Sequence, residues 1–381
     1  MQTKMIQEGT TKIIVPVLEE GSYPPSKTSV FYNPKMEFAR DISIACVAAF
    51  VGKRNSYVDA LGATGIRGVR MANEVHLDTT INDWSSQAHE LIEKNIGLNQ
   101  LDAKALRKNA SVLLSESRFD IVDIDPFGSP AQFIDAACRS ARKMLCITAT
   151  DTAPLCGAHK ASGIRKYGAI PLKTEYHPEM GIRILLGAIA RNLARYDKSL
   201  APLLSYAMEH YFRVYLAVEK GAAKSNEMTR QVGFICHCFG CSFRNWKYGL
   251  AAHMPEKCPS CAERTSPAGP LWLGRLHDRK FCNLVLDELE SRKLGTRKRA
   301  MRLVHLCAEE LDIPAYYDQH MICKKLRITP PPIETFIEML HEAGFQASRT
   351  HFSGTSFKTD APLEEIEKIL YQRCRSPRSP S

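Results

Sequence analysis

The chain has 381 residues, of which 44% are hydrophobic and 24% charged, with 13 cysteines and a formal net charge of +10. These proportions are those of a soluble globular protein, and the length favours two domains over one. No run of about 18 apolar residues is present, which argues against a membrane-spanning helix, and the first 30 residues lack a secretory signal pattern. We therefore expect a cytoplasmic protein with reduced cysteines, whose positive charge favours a polyanionic partner such as nucleic acid.

Strand and helix patterns alternate through the first 150 residues. Short runs rich in β-branched and apolar residues predict strands, and longer amphipathic stretches predict helices between them. The predicted strands are 12–17, 56–61, 79–83, 105–109, 119–125 and 144–150, and the predicted helices are 35–51, the segment after Gly65, 86–96 and the segment from Pro130. This alternation predicts an α/β fold with a mainly parallel sheet and helices on both faces.

The rest of the chain divides by composition. Residues 151–181 are rich in glycine and proline and predict a long functional loop, followed by a helix over 182–196 and two strand-like runs, LLSYAM and FRVYLAV. We expect four regions: a first domain over 1–222, a linker with a cysteine-rich segment over 223–268, a smaller α+β domain over 269–375, and a disordered tail over 376–381.

A glycine-rich turn follows the second predicted strand. The stretch VDALGATGIRG (58–68) has Asp59 at the strand end and then Gly62, the residue expected against a ligand, with further glycines at 65 and 68. Asp83 ends the next strand, where a carboxylate can accept both hydroxyls of a ribose. NAD-binding and S-adenosylmethionine-binding sheets share this arrangement, but the G-x-G-x-x-G of a dinucleotide site is missing. The pattern therefore favours a methyltransferase over a dehydrogenase.

The strand FDIVDI is followed by Asp125-Pro126-Phe127-Gly128, at the edge where open α/β sheets bind ligands. This tetrapeptide resembles the N/D-P-P-Y/F motif of methyltransferases that act on exocyclic amines of nucleobases. Such an amine is a poor nucleophile because its lone pair is delocalised, so an acceptor must draw off its proton as the C–N bond forms. We expect Asp125 and the Pro126 carbonyl to be the acceptors and Phe127 to stack on the base, while Asp123 has a structural partner. A purely structural turn is the alternative.

Four cysteines form two C-x2-C pairs with 16 residues between the pairs. They are Cys238, Cys241, Cys258 and Cys261. This spacing is typical of a tetrahedral zinc site, and four thiolates close the coordination sphere, so the expected role is structural. Cys236 and His237 are alternative ligands, and a cluster of buried thiols without metal is the alternative to the site itself.

A basic run lies in the third predicted region. Residues 291–302 carry six cationic side chains and no acidic one. A solvated helix face and contact with RNA phosphates both give such a run. We expect phosphate contacts, which position an RNA without specifying a base.

With these motifs in place, the sequence resembles the tRNA guanine-N2-dimethyltransferase family. The matching segments are QEGTTKIIVP, FYNPKMEFARD, DALGATGIRG, IND, DIDPFGSP, TATDTAPLCGAH and SRTHFSGTSFKTDAP. The resemblance implies a class I, Rossmann-like methyltransferase domain followed by a C-terminal tRNA-binding domain. It also implies transfer of two methyl groups from S-adenosyl-L-methionine to N2 of guanosine 26 in tRNA, with tRNA as the partner. From the residues themselves we expect no membrane partner, and no obligate protein partner is evident.

Roles for cofactor-binding residues follow from the same resemblance. It implies that Arg40 and Arg67 help hold the cofactor and that Asp83 takes the ribose. Asn109 and Ala110 stand where relatives have an Asp-Ala pair that meets the adenine. An asparagine oxygen can still accept a hydrogen bond from the adenine amino group.

For the substrate, the resemblance implies that Asp125 is the catalytic carboxylate and that Phe31 and Phe127 sandwich the guanine. Two alternatives come from other classes: another methyltransferase of nucleobase amines, and a zinc-ribbon RNA-binding protein that has lost catalysis. The intact Asp83 and Asp125 argue against the second.

Overall fold

The computed structural model describes residues 2–17, 30–52 and 55–375 and begins with a hairpin of β1 (Thr3–Glu8) and β2 (Thr11–Pro16). Within these ranges, seven strands form the central sheet. They are β3 (Ser56–Asp59), β4 (Asp78–Asn82), β5 (Lys104–Leu106), β6 (Phe119–Ile124), β7 (Ala141–Ala149), β8 (Lys198–Met208) and β9 (Tyr211–Lys220). Their order is β5-β4-β3-β6-β7-β9-β8, parallel as far as β7, with β9 antiparallel to both of its neighbours.

Helices cover both faces of this sheet. A short 3-10 helix (Pro34–Met36) precedes the first of them. The helices are α1 (Glu37–Phe50), α2 (Ile66–Glu74), α3 (Ser86–Leu98), α4 (Ala110–Glu116), α5 (Ala131–Ser140), α6 (Thr152–Leu155), α7 (Lys160–Tyr167), α8 (His177–Ala194) and α9 (Ala222–Thr229). Successive strand residues point to opposite faces, so Val58 packs with α5 and α8 while Tyr57 packs with α1. The predicted α/β class is confirmed.

Some local predictions were wrong. The predicted loop 151–181 contains α6, α7 and the first turn of α8, and the predicted linker contains α9. Pro154 is tolerated because it lies in the first turn of α6, and Gly157, with φ of +86°, separates α6 from α7. Glycine and proline therefore mark the ends of short helices here. The strand β1 and the helix α4 were not predicted.

The remainder of the chain forms smaller elements. They are β10 (Val232–His237), β11 (Arg244–Tyr248), β12 (Ser266–Trp272), α10 (Arg279–Ser291), α11 (Arg297–Glu309), β13 (Tyr317–Asp318), α12 (Gln319–Leu326), α13 (Ile333–Glu342), β14 (Ala347–Arg349), β15 (Ser356–Thr359) and α14 (Leu363–Arg375). The first group of strands is antiparallel in the order β11-β10-β12, and the second has the order β13-β15-β14. The predicted cysteine-rich segment and α+β C-terminal part are present.

The apolar core of the large sheet continues past residue 269. Phe281 and Val285 of α10 and Val304 of α11 lie in the same cluster as Phe38 and Ile42 of α1. The elements after α11 have a separate core around Phe336 and Phe357.

The boundaries at 222 and 268 remain predictions, and the predicted tail 376–381 lies outside the described residues. No helix within the described ranges has the length and apolar character needed to cross a bilayer.

Two glycines offer a test of how closely the sheet and its helices pack. A Cβ added at Gly68 would lie 2.5 Å from Cγ1 of the buried Ile81, whereas one at Gly97 would meet nothing within 4 Å. We expect Gly68→Ala to lower the free energy of unfolding by about 1–3 kcal/mol through overpacking. The matched Gly97→Ala should raise it by roughly 0.5–1 kcal/mol, since alanine favours the helix. Denaturant unfolding checks both; equal effects would show that α2 has room to move away from β4.

Candidate active site

A cavity of about 460 Å³ opens at the carboxyl edge of the sheet. The turn after β3, the end of β6, the segment before α1, the end of β7 and the β8–β9 turn all contribute to it. Its lining includes Phe31, Arg40, Asp59, Gly62, Arg67, Asp125, Pro126, Phe127, Thr150, Glu209 and His210. The structure therefore brings together most of the residues that the sequence predicted for catalysis, cofactor contact and base stacking.

The two carboxylates of the β6 motif have different environments. Asp123 is fully buried and accepts hydrogen bonds from both terminal nitrogens of Arg213, at 2.9 and 2.7 Å, and from the Tyr57 hydroxyl at 3.0 Å. The prediction that Asp123 has a structural partner is confirmed. Asp125 follows the last strand residue, is 21% exposed, and pairs with Arg67 while facing the cavity. Asp125 is thus the carboxylate of the motif that a substrate can reach.

Arginine side chains hold Asp125 in its charged form. Burial by itself would raise the pKa of this carboxyl, but the charges of Arg67 and Arg213 and hydrogen bonds from Arg67 and Thr148 lower it below the usual range. Arg67 is itself buried and also donates to the Ser43 hydroxyl at 2.6 Å. Asp125 is therefore a fixed, ionised hydrogen-bond acceptor at neutral pH.

A third carboxylate, Asp59, lies beneath the glycine turn. It accepts a hydrogen bond from the Gly68 amide at 3.1 Å. Burial raises its pKa to about 7, and the charge of Asp123 adds to this effect while Arg67 opposes it. Three carboxylates, those of residues 59, 123 and 125, thus surround two guanidinium groups, those of residues 67 and 213. When all are ionised the cluster has one excess negative charge, which suits a cationic ligand.

The sequence did not reveal the polar network below the cavity. Ser43 on α1 contacts Arg67, Arg213 at 3.3 Å and the hydroxyl of Tyr215 at 2.8 Å. Arg213 also donates to the Thr148 hydroxyl at 3.0 Å. One signal was available, because Arg213 stands in the apolar strand FRVYLAV and a buried cation requires a carboxylate partner. The turn residues Glu209 and His210, which line the cavity, gave no such signal.

Two aromatic rings stand at the cavity mouth. Phe127 is 75% exposed, and its ring contacts Phe31 edge to face, with centroids 5.5 Å apart and planes at 66°. The Phe127 loop is tied to the end of β7 because the Gly128 amide donates to the Thr150 hydroxyl at 2.8 Å, and Gly128 has φ of +95°. The rings are adjacent but not parallel, so a base can enter between them only if one ring moves.

Arg40 lines the cavity and is held by an acidic residue of β1. Its Nε donates to Glu8 Oε2 at 2.7 Å, and its Nη2 donates to Glu8 Oε1 at 2.5 Å. Glu8 lies in the segment QEGTTKIIVP, so that segment helps to build the cavity wall. The predicted contact of Arg40 with a cofactor remains a prediction.

The other predicted cofactor residues lie outside this lining. Asp83 holds the glycine turn, since its Oδ2 accepts from the Ala63 amide at 2.9 Å and its Oδ1 from the Ser85 amide at 3.0 Å. Asn109 is the N-cap of α4, and its side-chain oxygen accepts from the amides of residues 111 and 112. The adjoining Ala110 is buried. The Asn109 oxygen is thus already engaged by the backbone, which weakens its predicted contact with adenine.

The four paired cysteines meet in space. Sγ of Cys238 lies 3.4 Å from that of Cys261, Sγ of Cys241 lies 3.5 Å from that of Cys258, and all four lie within 4.8 Å of one another. Tetrahedral zinc–thiolate bonds require sulfur separations of about 3.8 Å. The donor set and its size therefore fit a metal ion.

The two C-x2-C turns share one backbone geometry. The amide after the second cysteine of each pair, on Ser242 or Ala262, donates to the carbonyl of the first cysteine, at 2.8 and 2.9 Å. Both of these residues have positive φ, 67° and 61°. The alternative ligands Cys236 and His237 are not in the sulfur cluster; the His237 ring packs against Tyr176 instead.

The sheet order, the glycine turn and the site at the carboxyl edge define a class I, Rossmann-like methyltransferase fold. A sequence model of the N2,N2-dimethylguanosine tRNA methyltransferase family matches residues 9–371. The chain belongs to this family.

Individual relatives agree with this assignment. A protein of Methanosarcina mazei is 53% identical, over 97% of this chain and 99% of its own, and one of Haloarcula marismortui is 43% identical, over 95% and 98%. Both are named tRNA (guanine(26)-N(2))-dimethyltransferase. The solved complex of Trm1 from Pyrococcus horikoshii with S-adenosyl-L-methionine is 37% identical and superposes with a TM-score of 0.88, over 96% of this chain and 99% of that one.

The two carboxylates of the β6 motif should respond differently to loss of charge. We expect Asp125→Asn to lower the rate of methyl transfer at saturating cofactor by about 10²–10⁴-fold, because the ionised acceptor is lost. The matched Asp123→Asn should instead destabilise the fold by roughly 3–5 kcal/mol, because Arg213 is left buried without its counter-charge.

Single-turnover methylation, calorimetric cofactor binding and thermal unfolding separate these effects. A folded Asp125→Asn protein that binds cofactor and methylates at the normal rate would rule out the role assigned to Asp125.

Proposed function

We propose that this protein transfers two methyl groups from S-adenosyl-L-methionine to the exocyclic N2 of guanosine 26 in tRNA, giving N2,N2-dimethylguanosine. The observation that carries this proposal is an ionised carboxylate, Asp125, at the rim of a cavity with two aromatic rings at its mouth. Family membership supports the choice of tRNA and guanine. The full-length similarity to relatives that bear this name supports the position in the tRNA.

In this mechanism Asp125 accepts a hydrogen bond from an N–H group of the guanine amine. The cofactor, when bound, would supply an electrophilic methyl group and would keep the electron pair of the broken S–C bond as a neutral thioether. As the new C–N bond forms, the nitrogen loses its conjugation with the ring, and Asp125 stabilises the growing positive charge and receives the proton. Arg67 holds one side of the carboxylate in place, and the Pro126 carbonyl is the proposed second acceptor. Phe31 and Phe127 would hold the base by stacking, after one ring has moved aside.

The same acceptor serves both transfers. After the first methylation Asp125 carries the transferred proton and must release it to solvent. N2 keeps one hydrogen, which can then form a hydrogen bond to the ionised carboxylate. After the second, N2 has no hydrogen left, so the product amine gives Asp125 no hydrogen bond. Asp125 keeps its contact with Arg67 but has none with the product, and this favours release.

The cluster below the cavity suits a cationic cofactor. The group formed by Asp59, Asp123, Asp125 and the two arginines has an excess negative charge when Asp59 is ionised, which its pKa of about 7 allows at neutral and higher pH. In that state the group would attract a sulfonium and an ammonium group. We propose that Arg40, Gly62 and Arg67 contact the cofactor from the cavity side. Asp83, Asn109 and Ala110 are proposed to reach its ribose and adenine; for Asn109 only the amide nitrogen is free of the helix cap.

Three further assignments belong to this proposal. The cysteine cluster holds a structural zinc ion, which fixes the β10–β11 turn and the segment that leads into β12. The C-terminal domain predicted over 269–375, with its basic run 291–302, binds tRNA. The protein acts in the cytoplasm, where its tRNA substrate is accessible.

The proposed activity is tested by mass spectrometry of nucleosides from tRNA incubated with protein and cofactor. We expect N2-methylguanosine first and N2,N2-dimethylguanosine later, with both products lost when guanosine 26 is replaced by adenosine. Asp125→Asn protein is the control for contaminating activity. A methylated adenine or cytosine would favour another amine methyltransferase, and RNA binding without product would favour the non-catalytic alternative.

The zinc assignment has its own matched pair of variants. Wild-type protein should contain one zinc ion per chain by elemental analysis, and Cys258→Ser should lose it and unfold at lower temperature, because the ion contributes folding energy. Cys236→Ala, which changes a nearby buried thiol outside the cluster, should keep the full zinc content. Zinc retained in Cys258→Ser but lost in Cys236→Ala would move the ligand assignment to Cys236.

A further inference from the structure

A second concave surface, of about 800 Å³, opens beside the active-site cavity. Gln7 and Gly9 of the β1–β2 hairpin, Glu37 at the start of α1 and the segment 292–299 line it. The cationic side chains among these described residues are Arg292, Lys293, Arg297, Lys298 and Arg299. We call this surface the basic groove. Glu37 is the acidic residue in the lining, and Arg292 and Arg299 form ion pairs with Glu288 and Glu209 outside it. The net positive charge of the groove therefore comes from Lys293, Arg297 and Lys298.

The segment 292–299 is fixed in place by buried partners. The amide and hydroxyl of Thr296 donate to Asp41 Oδ2 at 2.9 and 2.7 Å, and Asp41 is fully buried in α1. Arg292 donates to the Glu74 carbonyl at 2.7 Å, which ties the segment to the end of α2. The groove is therefore preformed, and little ordering is needed when a ligand binds.

Several of its charges are not neutralised within the protein. Lys293 and Lys298 are exposed and have no ion-pair partner among the residues that the structure describes. The contact of Arg297 is with a backbone carbonyl, that of Glu290, at 3.4 Å. Charges held this close together repel one another, so an anionic ligand would relieve the repulsion.

The basic groove and the active-site cavity share a wall. Arg299 lines the groove, and its Nη2 donates to Glu209 Oε1 at 2.9 Å, while Glu209 lines the cavity. On the other side, Glu37 lines the groove and the preceding Met36 lines the cavity. An RNA strand with one base in the cavity would therefore pass its backbone along the groove.

We propose that the basic groove binds the phosphates next to the nucleotide whose base enters the cavity. An enzyme that modifies a base inside a folded RNA must turn that nucleotide out of the stack, and its flanking phosphates then lie at the rim of the site. Cationic side chains at the rim would bind the phosphates of the displaced nucleotide and its neighbours without recognising the base sequence. This inference rests on the proposed function for its substrate, but it places the phosphate contacts beside the target base rather than along the distant body of the tRNA.

The test compares two doubly substituted proteins with equal loss of charge. Lys293→Gln/Lys298→Gln removes the unpaired lysines of the groove. Arg142→Gln/Lys220→Gln removes two exposed cations where β7 begins and β9 ends, at the sheet edge opposite Asp125. The groove variant should bind tRNA roughly tenfold more weakly, with a salt dependence shallower by about 1.4 in log–log slope for two contacts. The control variant should bind like the wild type, and cofactor affinity should be unchanged in both.

Phosphate ethylation interference then locates the contacts. Modification within two nucleotides of the methylated guanosine should block binding to the wild type and have little effect on the groove variant. Equal binding by groove and control variants, or loss of interference only in remote stems, would overturn the proposal.

The outcome is distinguishable from failure of the proposed function. If the enzyme methylates a different nucleotide, the interference should surround that nucleotide. If the wild type binds tRNA but forms no methylated product, the proposed function has failed. Interference only in remote stems would then overturn this inference as well.

Discussion

The pairing of two buried arginines, Arg67 and Arg213, with Asp125 and Asp123 is the constraint on which the site depends. Burying a charge costs free energy unless an opposite charge compensates it. Arg213 is fully buried, and its two terminal nitrogens donate to the two carboxylate oxygens of Asp123. Arg67 pairs with the partly exposed Asp125 through one terminal nitrogen, and the hydroxyl of Ser43 contacts both guanidinium groups. This arrangement keeps the reachable carboxylate ionised in a largely apolar setting. The same low-dielectric surroundings make that carboxylate a stronger acceptor than it would be in water.

Sequence motifs located the acceptor but not the groups that control it. The strand-end position of Asp125 follows from local patterns, because the apolar run, the turn residues and the helix start all lie within ten residues. Ser43 and Arg213 are 170 positions apart along the chain and meet because α1 packs on the face of the sheet that also carries Tyr215. No local sequence pattern predicts that these two side chains come into contact. The buried arginine in FRVYLAV predicts a carboxylate partner but not which one.

The α/β architecture followed from alternating patterns, whereas the extent of the catalytic core did not. The pattern of α10 and α11 predicts a buried face without naming the surface that covers it. In the structure α1 covers this buried face. The apolar side chains of the basic run therefore lie in the same core as α1 and the strands of the large sheet. The cysteine spacing was more informative, because two short turns of one geometry bring their thiols together with few alternatives. Metal ligands close in sequence are predictable for this reason, and contacts made through a shared core are not.

The helix α8 joins the parts that follow the sheet. Arg183 donates to the carbonyls of Trp272 and Gly274 at the end of β12, and Glu179 accepts from the amides of Ala315 and Tyr316. Lys358 of β15, also buried, lies 3.3 Å from Glu179 and 2.8 Å from Glu310. Separating the parts would break each of these contacts, so together they hold the C-terminal part on α8. On the opposite face, α10 and α11 hold the basic groove against α1. The sheet between them therefore fixes the positions of both sets of elements relative to Asp125.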